Sequence, residues 1–137
     1  MVLVDTSVWI DFFRKSRTAE AKALATLIAS EQDIATCGVI RQEILQGIRD
    51  DLMLRRVRAL LDQMHYLPLE EPRTFDEAAD IFRQARLAGK TLRRPLDCII
   101  AAIAMRWNVQ LLQRDHDFTT IAIVAPLLKL LDIDQKT

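Results

Sequence analysis

Residues 1–13, MVLVDTSVWIDFF, place an aspartate directly between two apolar runs. The run before it, Met1 to Val4, has the length and composition of a short strand buried on both faces. From Thr6 onward the period becomes helical, with Val8, Phe12 and Phe13 near one face. A strand that ends at Asp5 and passes straight into a helix leaves that carboxylate at the carboxyl edge of a sheet. A charge set among apolar neighbours is costly unless it is solvated, paired or bound to a cation. What Asp5 does there therefore bears on fold and function together.

The same alternation continues along the chain. A helix is expected from about Ala19 to Ser30, then a strand in DIATC and a helix in VIRQEILQGI, whose apolar period runs through Ile40, Ile44 and Ile48. LMLRRVRALLDQM reads as an amphipathic helix and HYLPL as a third strand. TFDEAADIFRQARLAG reads as a helix opened by a capping box between Thr74 and Glu77. Pro95 suits the first turn of an apolar helix, PLDCIIAAIAMRW; VQLLQ is a fourth strand, and PLLKLLDI contains a fifth. Short strands separated by helices predict an α/β domain with a mostly parallel sheet. At 137 residues the expectation is one domain over residues 1–137.

Composition narrows the function classes. Lys+Arg and Asp+Glu are equal at 19 each, so net charge favours no partner, and any attraction for phosphate must come from local patterning. The three glycines, Gly38, Gly47 and Gly89, are too few and too scattered for a Gly-rich phosphate loop. Cys37 and Cys98 lie in apolar stretches without metal-ligand spacing, which predicts buried thiols in a reducing cytosol. The longest apolar stretches are too short to span a bilayer, and no basic leader precedes the first of them, so a cytoplasmic protein with no membrane partner is expected. His65 and His116 read as exposed polar residues, which excludes a Ser/His or Cys/His nucleophile.

Four acids fall where such a sheet binds ligands, outside the carboxyl ends of its strands. Asp5 and Asp115 follow the first and fourth strands, while Glu43 and Asp97 sit in or near the first turns of helices that leave the same edge. For any one of them alone, an N-cap or helix-dipole role is commoner than catalysis. Together they repel one another unless a cation compensates them, and an all-oxygen donor set suits Mg²⁺ or Mn²⁺ better than Zn²⁺. Such ions orient phosphodiester oxygens and activate water, so the reaction class is metal-assisted phosphoryl hydrolysis.

The stretches VDTSVWIDFF, CGVIRQEILQG, RRPLDCIIAAIA and LLQRDHDF, in that order, resemble the PIN-domain family, and within it the VapC-type toxin ribonucleases. The resemblance covers essentially the whole chain. It implies a PIN-like α/β/α domain with a five-stranded parallel sheet, a Mg²⁺- or Mn²⁺-dependent endoribonuclease activity, a homodimer, and a small cognate antitoxin as partner. By motif, Asp5, Glu43, Asp97 and Asp115 match the family's four acids. Asp117 matches a further supporting acid, and Thr6 a hydroxyl residue that orients ligands or caps the first helix. Capping the segment that follows it would equally explain Asp117.

The segment RQARLAGKTLRR holds five basic residues, Arg83, Arg86, Lys90, Arg93 and Arg94, and no acid. It reads either as a solvated helix face and loop or as a surface that tracks RNA phosphates toward Asp97. Trp9, Phe12, Phe13, Phe82 and Trp107 read as core or subunit interface. Two alternatives to a ribonuclease toxin stay open from the residues: a catalytically silent RNA-binding module and a DNA-directed, structure-specific nuclease. A phospho-receiver domain is disfavoured, because no lysine follows the fourth strand where that chemistry needs one.

Overall fold

The computed structural model describes residues 1–133. The elements follow the order β1 (Val2–Val4), α1 (Thr6–Phe13), α2 (Ala19–Ala29), β2 (Ile34–Thr36), α3 (Gly38–Gln46), α4 (Asp51–Asp62), β3 (His65–Tyr66), α5 (Arg73–Leu87), α6 (Pro95–Arg106), β4 (Gln110–Leu112), α7 (His116–Val124) and β5 (Lys129–Leu130). The strands form one five-stranded sheet in the order β3-β2-β1-β4-β5. Every pairing is parallel, as the sequence pattern and the resemblance both imply.

From the central β1 the chain builds outward to β2 and β3, then returns to the other side of β1 with β4 and β5. The order reverses between β1 and β4, and a crevice opens at such a switch point, outside the strands' carboxyl ends. Val4 lies opposite Leu112 in this register, and the N–H of Asp5 donates to the carbonyl of Leu112 at 2.9 Å. Asp5 is thereby the first residue past the sheet on its central strand.

The core explains why the strands are so short. Leu3, Val4, Ala35, Leu111 and Leu112 are fully buried, so each strand crosses only the apolar centre of the domain. In α6 the buried run Cys98 and Ile100–Ala104 is rich in alanine, which lets this helix pack closely on its neighbours. Both cysteines are buried free thiols. None of the described helices is long and apolar enough to cross a membrane.

Local detail departs from the sequence pattern in three places. In α1 the fully buried residues are Val8 and Trp9, while Phe12 and Phe13 are only half-buried against the indole, with ring centroids 6.0 and 5.7 Å from it. The expected capping box does not form: α5 starts at Arg73, so Thr74 is already inside its first turn. The Thr74 hydroxyl accepts the N–H of Glu70 at 2.8 Å, and Glu77 is drawn away to Arg106 at 2.6 Å. Finally, HYLPL pairs only over His65–Tyr66: β2 ends at Thr36, whose carbonyl accepts the N–H of Leu67 at 2.8 Å, and the chain beyond passes into α3, so the ladder has no partner to continue on.

Helix α5 ends in a turn that delivers the chain toward the site. The N–H of Gly89 donates to Arg86 and that of Lys90 to Ala85, with Gly89 at φ +72°, the left-handed position of a Schellman cap. Space is open around a Cβ at Gly89, so only the backbone conformation opposes a side chain there. Gly89→Ala should accordingly lower stability by about 1 kcal/mol, measured by denaturant unfolding. An unchanged midpoint would show that the turn relaxes without cost.

Candidate active site

Asp5 serves α1 as its N-cap. Its backbone is extended, and its Oδ2 accepts both the N–H and the hydroxyl of Ser7, at 3.1 and 2.7 Å. The side chain is nonetheless buried, 2% exposed. Burial pushes its pKa up, the Ser7 bonds pull it back, and the neighbouring Glu43 charge pushes it up again. Capping and membership of an acidic cluster, alternatives in the sequence, are one arrangement here: the helix N-terminus holds a carboxylate that also faces other acids.

Asp97, in the first turn of α6, is the most exposed to that repulsion. It is 1% exposed to solvent, and neither of its carboxylate oxygens has a hydrogen-bond partner. Asp115 and Asp117 stand beside it, one ligand oxygen from each of the three lying within 4.8 Å of the others. Asp115 caps α7 by accepting the N–H of Asp117 at 3.0 Å, and buried Asp117 accepts the backbone N–H of Arg93 at 2.8 Å. Burial raises the Asp97 carboxyl to about 7; Arg94 opposes this, while Asp5, Asp115 and Asp117 add to it.

Glu43, in the second turn of α3, stands outside that tight trio and is tied to it by two neighbours. The Thr6 hydroxyl donates to its Oε1 at 3.2 Å, and an Arg94 guanidinium nitrogen pairs with its Oε2. The same guanidinium lies 3.9 Å from Asp97. Burial disfavours the charge on Arg94, but Asp97, Glu43, Asp5 and Asp115 together more than offset this and hold it charged. Glu43 and Asp5 also add to the effect of burial on Cys37, whose thiol is pushed up to about 11 and stays protonated.

The basic segment divides in two. Arg93 and Arg94 reach the acids, the first through its backbone and the second through its side chain. Arg83 and Arg86 instead line a groove between α5 and α6 with Phe75, Phe82, Pro95 and Ile99, and Arg86 lies over the Phe82 ring. Lys90 follows the Gly89 turn, half-buried. His65 and His116 are exposed, and His65 sits 3.3 Å from Asp33.

Two supports escaped the sequence reading. Ser7 had a local signal, since a hydroxyl two residues after a capping aspartate can bond it back. The other had none: Arg114, next to Asp115, donates to the buried Asp11 of α1 at 2.6 Å, and Thr18 donates to the same oxygen at 3.2 Å. This pair ties the β4–α7 loop to α1, and so relates Asp115 to Asp5.

A donor set made only of oxygens, with two buried ones unpaired on Asp97, fits a hard divalent cation. Asp97, Asp115 and Asp117 are placed to hold it, with Asp5 and Glu43 at the margin. The chelated protein should then show a pH signature. Between the ordinary value of 3.8 and about 7 the folded protein keeps a proton on Asp97 that the unfolded chain has lost. Stability should therefore fall as pH rises through that window, the loss being complete above it. Thermal unfolding in chelator should give a higher midpoint at pH 5 than at pH 8, and Asp97→Asn should flatten the difference. A wild-type midpoint that rises with pH would contradict this placement of Asp97.

Comparison with known proteins bears on the fold and the family. The family model for the PIN domain matches residues 2–124. Ribonuclease VapC11 of Mycobacterium tuberculosis is 38% identical over 128 residues, covering 93% of this chain and 96% of that protein. VapBC2 from Rickettsia felis, solved bound to a DNA fragment from their promoter, superposes with a TM-score of 0.73 at 16% identity, over 98% of this chain and 100% of that one. A toxin–antitoxin complex from Klebsiella pneumoniae gives 0.67 at 23% identity, over 86% and 90%. At these identities the two structures speak for the fold alone. The domain match and the 38% relative, each spanning nearly the whole chain, go further: this chain belongs to the PIN-domain family, in its VapC branch.

Proposed function

We propose that the protein is a Mg²⁺- or Mn²⁺-dependent endoribonuclease, the toxin of a VapBC-type toxin–antitoxin pair. The observation that carries this reading is Asp97: a buried carboxylate with both oxygens unpaired, set against Asp115 and Asp117 at the sheet's switch point. A carboxylate kept this way is at odds with a purely structural role, because a cap or a hydrogen-bonded ion pair would satisfy it, whereas the Arg94 guanidinium stops 3.9 Å away. The 38% identity to a ribonuclease supports RNA as the substrate.

In this reading the cation sits against Asp97, Asp115 and the supporting Asp117, and Asp5 and Glu43 complete the catalytic and metal-binding set from its margin, with Thr6 in support. A divalent ion supplies charge neutralisation at the scissile phosphate and lowers the pKa of an attacking water. The chain's own contribution is to fix the acids before substrate arrives: Ser7 orients Asp5, Thr6 orients Glu43, and the Arg93 N–H orients Asp117. Arg83, Arg86, Lys90, Arg93 and Arg94 form the surface proposed to meet the RNA backbone, whose attraction for arginine and lysine is independent of sequence. A homodimer and a small antitoxin partner, both implied by the resemblance to VapC-type toxins, complete the reading; the Klebsiella structural neighbour is itself part of a toxin–antitoxin complex.

Asp5→Asn provides the test. Asparagine caps a helix about as well as aspartate, so the fold should keep its stability, and the chelated protein should gain slightly as repulsion with Glu43 is relieved. RNA cleavage in Mn²⁺ should fall by about 100-fold or more, the scale of losing one preorganised electrostatic group. Excess EDTA should abolish wild-type cleavage. Cleavage that survives both changes would overturn the metal mechanism. RNA binding without cleavage in Mn²⁺ would assign the silent module instead, and faster cutting of DNA would assign the structure-specific nuclease.

A further inference from the structure

Arg94 stands out among the charged residues near the site because its backbone is fixed beside the acids while its side chain remains partly open to solvent. The following Pro95 confines it to extended conformations, and it is found at φ −130° and ψ 108° as the N-cap of α6. Its carbonyl accepts the N–H of Asp97 at 3.1 Å, so the Cα is anchored to the very turn that carries the buried acid. The side chain is 40% exposed, with its guanidinium paired to Glu43 and within 3.9 Å of Asp97. It is the one cationic side chain paired with any of these acids among the described residues.

That placement has a consequence for Glu43. The carboxylate has two oxygens, one engaged by Thr6 and the other by Arg94. Both are in use, whereas neither oxygen of Asp97 accepts a hydrogen bond and the guanidinium stands 3.9 Å off it. A cation entering the site finds Asp97, Asp115 and Asp117 ready and Glu43 occupied. Arginine suits this holding role: its charge is permanent, its fork matches a carboxylate, and its long stem reaches water when released.

We propose that Arg94 is the resident counter-ion of the acidic site, competing with the divalent cation for Glu43 and turning to an RNA phosphate once displaced. The inference rests on the metal-dependent reading given above. Glu43 thereby becomes an exchangeable ligand that enters the cation's shell only when Arg94 leaves it. Metal binding and substrate binding are then coupled through a single side chain: RNA that captures the guanidinium frees Glu43, and so tightens the site around the ion.

The experiment is a Mn²⁺ titration by calorimetry, without RNA, on wild type, Arg94→Gln, Arg94→Lys, Glu43→Gln and the Glu43→Gln/Arg94→Gln double variant. Removing the competing charge should tighten Mn²⁺ binding by about tenfold in Arg94→Gln, and Arg94→Lys should stay near wild type. In the Glu43→Gln background the same Arg94 change should have much less effect, since the competition passes through that carboxylate. Cleavage at saturating Mn²⁺ should show a raised KM for RNA in Arg94→Gln, largely restored in Arg94→Lys. Equal or weaker Mn²⁺ binding by Arg94→Gln overturns the proposal, as does an effect undiminished in the Glu43→Gln background. Failure of the wild type itself to bind Mn²⁺ overturns the metal-dependent reading, and the competition with it.

Discussion

Carboxylates buried side by side must have their charge compensated, and much of this structure follows from how the fold meets that demand. Two of the acids are compensated by helix N-termini. Asp5 caps α1 and Asp115 caps α7, each accepting the N–H of the residue two positions on. Asp117 takes a backbone N–H from Arg93, and Glu43 takes Thr6 and Arg94. Asp97 alone lacks a hydrogen-bonding partner, and it is also the acid whose carboxyl is raised to about 7. The site is therefore held ready by small local interactions that each cost little, and its net deficit is concentrated on one side chain.

The parallel sheet is what makes such an arrangement attainable. Because β1 and β4 are neighbours and point the same way, the loops that follow them open on one crevice, and the helices that start there direct their positive N-terminal ends toward it. The Arg114–Asp11 pair then fixes the β4–α7 loop against α1, so that residues 103 positions apart in sequence share one rigid edge. The core contributes by being plain. Short, mainly apolar strands and an alanine-rich α6 hold the edge in place, with Thr36 a buried polar residue within β2.

Much of this was legible in the sequence because it is written in local periods. MVLV, DIATC and VQLLQ are too short and too apolar to be confused with the amphipathic helices between them, and an acid at the end of a strand is visible as an interruption. What was not legible depends on residues far apart. The Thr74–Glu77 spacing suggests a capping box, but Arg106, on α6, takes Glu77 and the N-cap falls two residues sooner, at Pro72. In the basic run all five side chains read alike. Only the fold separates Arg94, paired with a glutamate 51 positions earlier, from Arg83 and Arg86, which line the groove between α5 and α6. Whether Asp5 caps a helix or faces other acids was posed by the sequence as a choice, and the structure contains both.

The central claim is that the gap among Asp97, Asp115 and Asp117 is a cation site. Anomalous diffraction from crystals of the protein grown or soaked in Mn²⁺ tests it most directly. The account predicts a strong peak between those three carboxylates, lost when the crystals are back-soaked in chelator. A peak confined to other acids, or no peak at Mn²⁺ concentrations that support cleavage, would contradict it.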